Sequence, residues 1–184
     1  MDLPRSKTDM KQPVWIICLL LLAGCGLLNN KSTEETSVQQ KSAGAELVLP
    51  AFPKQENLIE FYAGEMTSNH FFIDPLSLSV DKEGAVLYTL VIKTSGGATN
   101  INYESIRCDQ RQVRLYATGR NDGTWSRAHV SEWRDIENKI VNRQHAALSR
   151  NFFCPGSRPL NTAAEGVDAL RRGRHPDVIK YEKP

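Results

Sequence analysis

Arginines and aromatic rings interleave through one stretch of this chain: Arg107, Arg111, Arg114, Tyr116, Arg120, Trp125 and Arg127. Forked guanidiniums beside flat rings suit carboxylate- or phosphate-bearing glycans, through paired hydrogen bonds and stacking. Ile101 and Tyr103 fall on one parity of their strand, Ile106 and Cys108 on the other, which suggests a bulge near Glu104-Ser105. After such a bulge Arg107 joins Arg114 and Tyr116 on the solvent face. The competing reading is a solvated sheet face with Trp125 packed in the core. Catalytic signals are weaker still. His70, His129, His145 and His175 are dispersed without paired spacing, and His145, among helix formers, reads as a surface or packing residue. Gly96-Gly97 lacks the strand and helix context of a phosphate cradle, and neither G-x-S-x-G nor H-E-x-x-H occurs. Binding without catalysis is the expectation, with no cofactor and no metal.

The N-terminus indicates a compartment. Arg5, Lys7 and Lys11 form a basic start diluted by Asp2 and Asp9, and Val14 to Leu22 is an uncharged run of nine residues. As a helix that run spans about 14 Å, against about 30 Å of hydrocarbon. It reads as a signal-peptide core and not as a permanent membrane span. Leu22-Ala23-Gly24-Cys25 then resembles the lipobox of bacterial lipoproteins. That resemblance implies lipidation of Cys25, cleavage before it and, with Gly26 next, sorting to the outer membrane, facing the periplasm. Several acyl chains hold a protein to a membrane for practical purposes permanently. The partners within reach would be peptidoglycan, lipopolysaccharide or an envelope protein.

In that compartment Cys18 is discarded and Cys25 acylated, leaving Cys108 and Cys154. A disulfide is the default for two cysteines in an oxidising space. A metal site joining them to His129 or His145 is the alternative, although no C-x-x-C or H-x-x-x-H spacing supports it.

These residues need a scaffold. The chain has 184 residues, 40% of them hydrophobic, with 23 basic and 21 acidic residues for a net charge of +2. Those values exclude a disordered polyelectrolyte, a multi-pass membrane protein and a collagen-like repeat, and give no reason to expect nucleic acid. The division expected is a signal peptide over 1–24, a lipidated cysteine and flexible tether over 25–53, a β-rich domain over 54–156, and a short helix with a polar tail over 157–184. Within the tether, Leu47 to Pro53 is a proline-bounded lead-in. Phe71 to Asp74 reads as a short strand stopped by Asp74-Pro75. Ala85–Lys93, Thr99–Cys108 and Val113–Gly119 read as three sequential antiparallel strands, because their turn-rich connections leave no room for crossover helices. Val86, Tyr88, Leu90 and Ile92 form an apolar face, and Val113, Leu115 and Ala117 are assigned inward. A helix from about Asn142 to Phe153, stopped by Pro155, is expected to cover the sheet. Thr162 and Glu165 suggest a capping box that opens another helix. The fold class is therefore α+β, a curved antiparallel meander covered by a disulfide-linked C-terminal helix. Arg171, Arg172, Arg174 and His175 read as a charged helix end that complements the macrodipole.

The segments ENLIEFY (56–62), FFIDPLSLSV (71–80), YTLVIKTSGGATNINYESIRC (88–108), LYATGRNDGTWSRA (115–128) and VNRQHAALSRNFFCP (141–155) resemble the CNP-like lipoproteins, the cryptic neisserial protein family of proteobacteria. The likeness covers about 56–172. It implies an exported lipoprotein with one domain of unknown function, and it brings no catalytic or ligand residues. Asp74, Cys108, Trp133 and Cys154 also fall in the order found in surface-adhesin E-type domains, over about 70–154. That architectural likeness does not establish adhesion, but it keeps a surface adhesin binding host components open. A small enzyme acting on envelope polymers is a further alternative.

Overall fold

The computed structural model describes residues 47–65, 67–137, 139 and 142–181. The expected signal segment, Cys25 and the first part of the expected tether lie outside them. Seven antiparallel strands follow one another as a meander: β1 (Ile59–Phe61), β2 (His70–Val80), β3 (Val86–Lys93), β4 (Thr99–Arg107), β5 (Gln112–Gly119) and β6 (Trp125–Arg127), with β7 (Arg134–Asp135) also paired to β5. Tight turns make the order: Thr94 to Ala98 closes the β3–β4 hairpin, with Gly97 at φ +85° where a side chain would be strained. Helices then cover one face. They are α1 (Arg143–Ala147), which widens into a π-helical stretch over Leu148–Phe153, then α2 (Ala163–Arg171) and α3 (Pro176–Tyr181).

Register shows what each face does. Val86 lies opposite Ile106, Tyr88 opposite Glu104 and Leu90 opposite Asn102, all toward the helices. Strand alternation carries Leu87, Thr89 and Val91 to the other side. Every residue of β3 from Val86 to Val91 is nonetheless buried, because both faces are covered. On the helical face Phe152 meets Phe61 edge-on at 5.6 Å, and Phe153 packs on Tyr88 at 5.3 Å. Both phenylalanines face inward because the helix widens, the Cys154 N–H donating to the Ser149 carbonyl five residues back at 3.0 Å. The Cys108–Cys154 disulfide joins the end of this helix to the end of β4, with Cα atoms 5.4 Å apart.

Several sequence expectations change. β4 pairs with β3 without interruption, so it carries no bulge at Glu104-Ser105. The parity switch arises because Ile101 and Tyr103 face the second side while Ile106 and Cys108 face the helices. The bulge sits on β5: Tyr103 pairs with Ala117 and Glu104 with Leu115, which leaves Tyr116 extra. Ala117 consequently lies on the second face with Leu87 and Tyr103, and not inward with Val113. Asp74-Pro75 does not end β2. Four residues, 75–78, loop out between the pairs Asp74–Thr89 and Ser79–Leu87. Side chains replace the ladder there: Leu76 N–H donates to the Asp74 carboxylate at 3.1 Å, and Thr89 N–H donates to Ser77 Oγ at 2.8 Å.

Both ends of the described chain are also more ordered than a tether and a tail. Leu47, Leu49 and Phe52 pack on the second face around Trp125, whose indole N–H donates to the Pro50 carbonyl at 2.9 Å. Gly119 allows this approach, since a Cβ there would lie 3.0 Å from the Phe52 ring. At the other end, Thr162 Oγ1 caps α2 by accepting from Glu165 N–H. The Glu165 carboxylate accepts from Asn161 N–H at 2.7 Å and pairs with buried His175 at 3.0 Å. Burial alone would raise the Glu165 pKa, but those two contacts outweigh it and the pKa is lowered.

Candidate functional site

β7 lies against one end of β5, Gln112 opposite Asp135 and Val113 opposite Arg134. This placement sets the half-buried loop residue Trp133 beside two arginines. The Arg107 guanidinium carbon is 4.2 Å from the centre of the Trp133 ring. That of Arg114 is 5.9 Å from Trp133 and 5.1 Å from Tyr116. The result is a ladder of Arg107, Trp133, Arg114 and Tyr116 on the second sheet face, in cation–π contacts that stay modest because the groups are only partly desolvated.

The hydrogen bonds that hold the ladder come from neutral groups. Arg107 Nη2 donates to Gln112 Oε1 at 2.7 Å, and Arg114 Nε donates to Ser131 Oγ at 3.0 Å. Ser131 in turn donates to the Leu115 carbonyl, and Ser105 donates to the Tyr116 hydroxyl at 3.1 Å. Arg107 Nε is buried with no hydrogen bond. Among the described residues no carboxylate pairs with Arg107 or Arg114. Two positive charges with spare donors therefore stand in a row on a positioned aromatic platform.

Around the edge of β5, Trp133, Gln112, Arg134, Asp135, Asn142 and His145 border a groove of about 610 Å³. Behind it lies a buried polar pin. His145 Nε2 donates to Glu104 Oε2 at 2.7 Å, and the Tyr88 hydroxyl donates to the same oxygen at 3.2 Å. Asn102 Nδ2 donates to the other oxygen at 3.0 Å. The Glu104 and His145 side chains are only 4% and 11% exposed. A carboxylate this deep requires such a set of donors. Burial first, then the Glu104 charge and the hydrogen bond to it, push the Tyr88 phenol well above its ordinary pKa. The pin joins α1 to β3 and β4, so His145 is a packing residue with a specific partner.

Of the residues singled out in sequence, the structure brings Arg107, Arg114 and Tyr116 together and separates the rest. Arg111 sits in the β4–β5 turn and lines a different cavity, beside the disulfide. Arg120 follows β5 and donates to Ser126 at 3.2 Å. Trp125 belongs to the second core, and Arg127 donates to the Leu47 carbonyl at 3.1 Å. Trp133, the centre of the ladder, was not assigned to the site from sequence. The available signal was a large ring in a short polar loop, which has to bury a face against something. Glu104 was missed for a related reason: a lone acid in an apolar strand has partners, His145 and Tyr88, that sequence spacing does not show. Among the described residues no group of three or more histidine, cysteine or acidic side chains could hold a metal ion. With Cys108 bonded to Cys154, neither thiol is available to His129 or His145.

No curated protein and no solved structure shows a significant match to this sequence. The family model described as CNP1-like matches residues 37–171, which takes in the whole sheet, the disulfide, α1 and α2. The chain is therefore a member of the CNP1-like family.

Proposed function

We propose that this protein is a lipid-anchored lipoprotein of the outer membrane, facing the periplasm and held by Cys25, that binds an anionic envelope glycan without catalysis. The observation that carries the binding reading is the pair Arg107 and Arg114 gathered over Trp133, with no carboxylate on either among the described residues. Guanidiniums held by neutral partners keep their charge for a ligand, and an indole edge or face packs against a sugar ring. Peptidoglycan fragments and lipopolysaccharide supply the carboxylates or phosphates this arrangement would take. The anchor rests on the Leu22-Ala23-Gly24-Cys25 sequence, and Cys25→Ala should release the protein from the membrane fraction or leave an uncleaved precursor.

The test of binding is a pull-down and an equilibrium titration with muropeptides and with lipopolysaccharide. Arg107→Ala with Arg114→Ala, and separately Trp133→Ala, should each weaken retention by about tenfold or more. Trp125 is the wrong target because its replacement opens the second core. Undiminished binding by both variants would remove the proposal. Catalysis on an envelope polymer is less favoured, since no serine, threonine or cysteine among the described residues hydrogen-bonds to His145.

A further inference from the structure

The β4–β5 turn and the end of the widened helix border an open cavity of about 350 Å³ beside the disulfide. It lies apart from the arginine–tryptophan ladder. Arg111, Arg150, Ser149 and Ser157 line it, with Cys108 and Cys154 alongside, and no carboxylate is among its lining residues. No hydrogen bond or ion pair engages either guanidinium among the described residues. Ser149 is 5% exposed, and its hydroxyl likewise has no partner among them.

The backbone around the cavity gives a second, independent indication. Among the described residues two non-glycine positions have positive φ, Arg111 at 51° and Ser157 at 63°. Both line this cavity. A left-handed conformation is unfavourable for an L-residue, and glycine would fill the β4–β5 turn more cheaply. An arginine is instead held there, at the rim of the cavity. The π-helical widening that turns both phenylalanines inward also puts Ser149 on the cavity wall, and such widenings recur at functional sites.

We propose that this cavity binds a phosphate group, free or as an ester on a larger molecule. Arg111 and Arg150 supply charge and forked donors, while Ser149 and Ser157 add hydroxyl donors. Donors from three chain segments suit a tetrahedral oxyanion better than a flat carboxylate. The volume lies within the roughly 300–1,000 Å³ typical of small-molecule sites.

The test uses the disulfide-bonded protein, titrated with inorganic phosphate and with glycerol 3-phosphate by two-dimensional amide NMR, and sedimented with phosphatidylglycerol vesicles. Saturable shifts at Ser149, Gly156 and Ser157 with the soluble probes would identify a small phosphate ligand. Binding to vesicles alone would assign the same chemistry to a lipid headgroup. In either case Arg111→Gln and Arg150→Gln should each weaken binding by about tenfold, and Lys82→Gln, in the β2–β3 turn, should leave it unchanged. Arg111→Gly separates ligand binding from folding, since it should weaken binding while raising the melting temperature. The proposal is overturned if no probe binds, if binding survives both glutamine variants, or if Lys82→Gln weakens it equally.

Discussion

Along β4, Glu104 and Ile106 turn toward the helices, while Tyr103, Ser105 and Arg107 turn the other way. The helical side is a continuous apolar core crossed by the partnered Glu104–His145 pin, and its open polar groups lie at the margin, around the cavity beside the disulfide. The second side is divided. Leu47, Leu49, Phe52 and Trp125 close a small core over Leu87, Tyr103 and Ala117 at one end. At the other end Arg107 and Arg114 both lie over Trp133 and stay partly open. Alternation along a strand thus lets one sheet fix its fold with one set of residues and present a binding surface with the next.

The largest expected effect is on the helical side. His145→Ala leaves the Glu104 carboxylate buried with only Tyr88 and Asn102, and should cost about 3–5 kcal/mol in urea unfolding. Leu90→Ala, at a fully buried position on the same face, should cost about 2–5 kcal/mol. A neutral outcome for both would break the comparison, since it would place the main core elsewhere.

The second side should respond with the opposite sign at one position. Thr89 is fully buried there and its hydroxyl has no hydrogen-bond partner. Thr89→Val keeps the shape, removes that hydroxyl and should stabilise by about 1 kcal/mol. Asp74, opposite Thr89, gives a pH-dependent version. Burial raises its pKa above the ordinary 3.8, and the Leu76 N–H offsets only part of the rise. The folded state therefore holds that proton longer than the unfolded state, so stability falls as pH rises through this interval. Asp74→Asn retains an acceptor for Leu76 and should be more stable than the parent at pH 7, the difference vanishing in acid. Melting curves at pH 3 and pH 7 check this.

The meander was legible in the sequence because β3, β4 and β5 combine β-branched runs with short polar or glycine-bearing turns, and local pattern decides such elements. The disulfide was legible from counting cysteines, because the expectation of export leaves Cys108 and Cys154 as the two able to pair. Long-range coverage was not legible. Val86 to Val91 reads as one apolar face with a mixed reverse, yet Leu47 to Phe52 buries the reverse as well. The two-sided burial also produced the parity switch that was read as a bulge in β4. The site followed the same rule. Arg107 and Arg114 lie close in sequence and were found together, whereas Trp133 reaches them only because two residues of β7 pair with β5.

The most direct test measures folding and binding on one variant, Arg107→Ala with Arg114→Ala. Partly exposed guanidiniums with neutral partners contribute modestly to folding, so its urea stability should fall by no more than about 2 kcal/mol. Its affinity for muropeptides or lipopolysaccharide should fall by about tenfold or more. A loss of several kcal/mol in stability with glycan binding intact would contradict the account and make the ladder part of the fold.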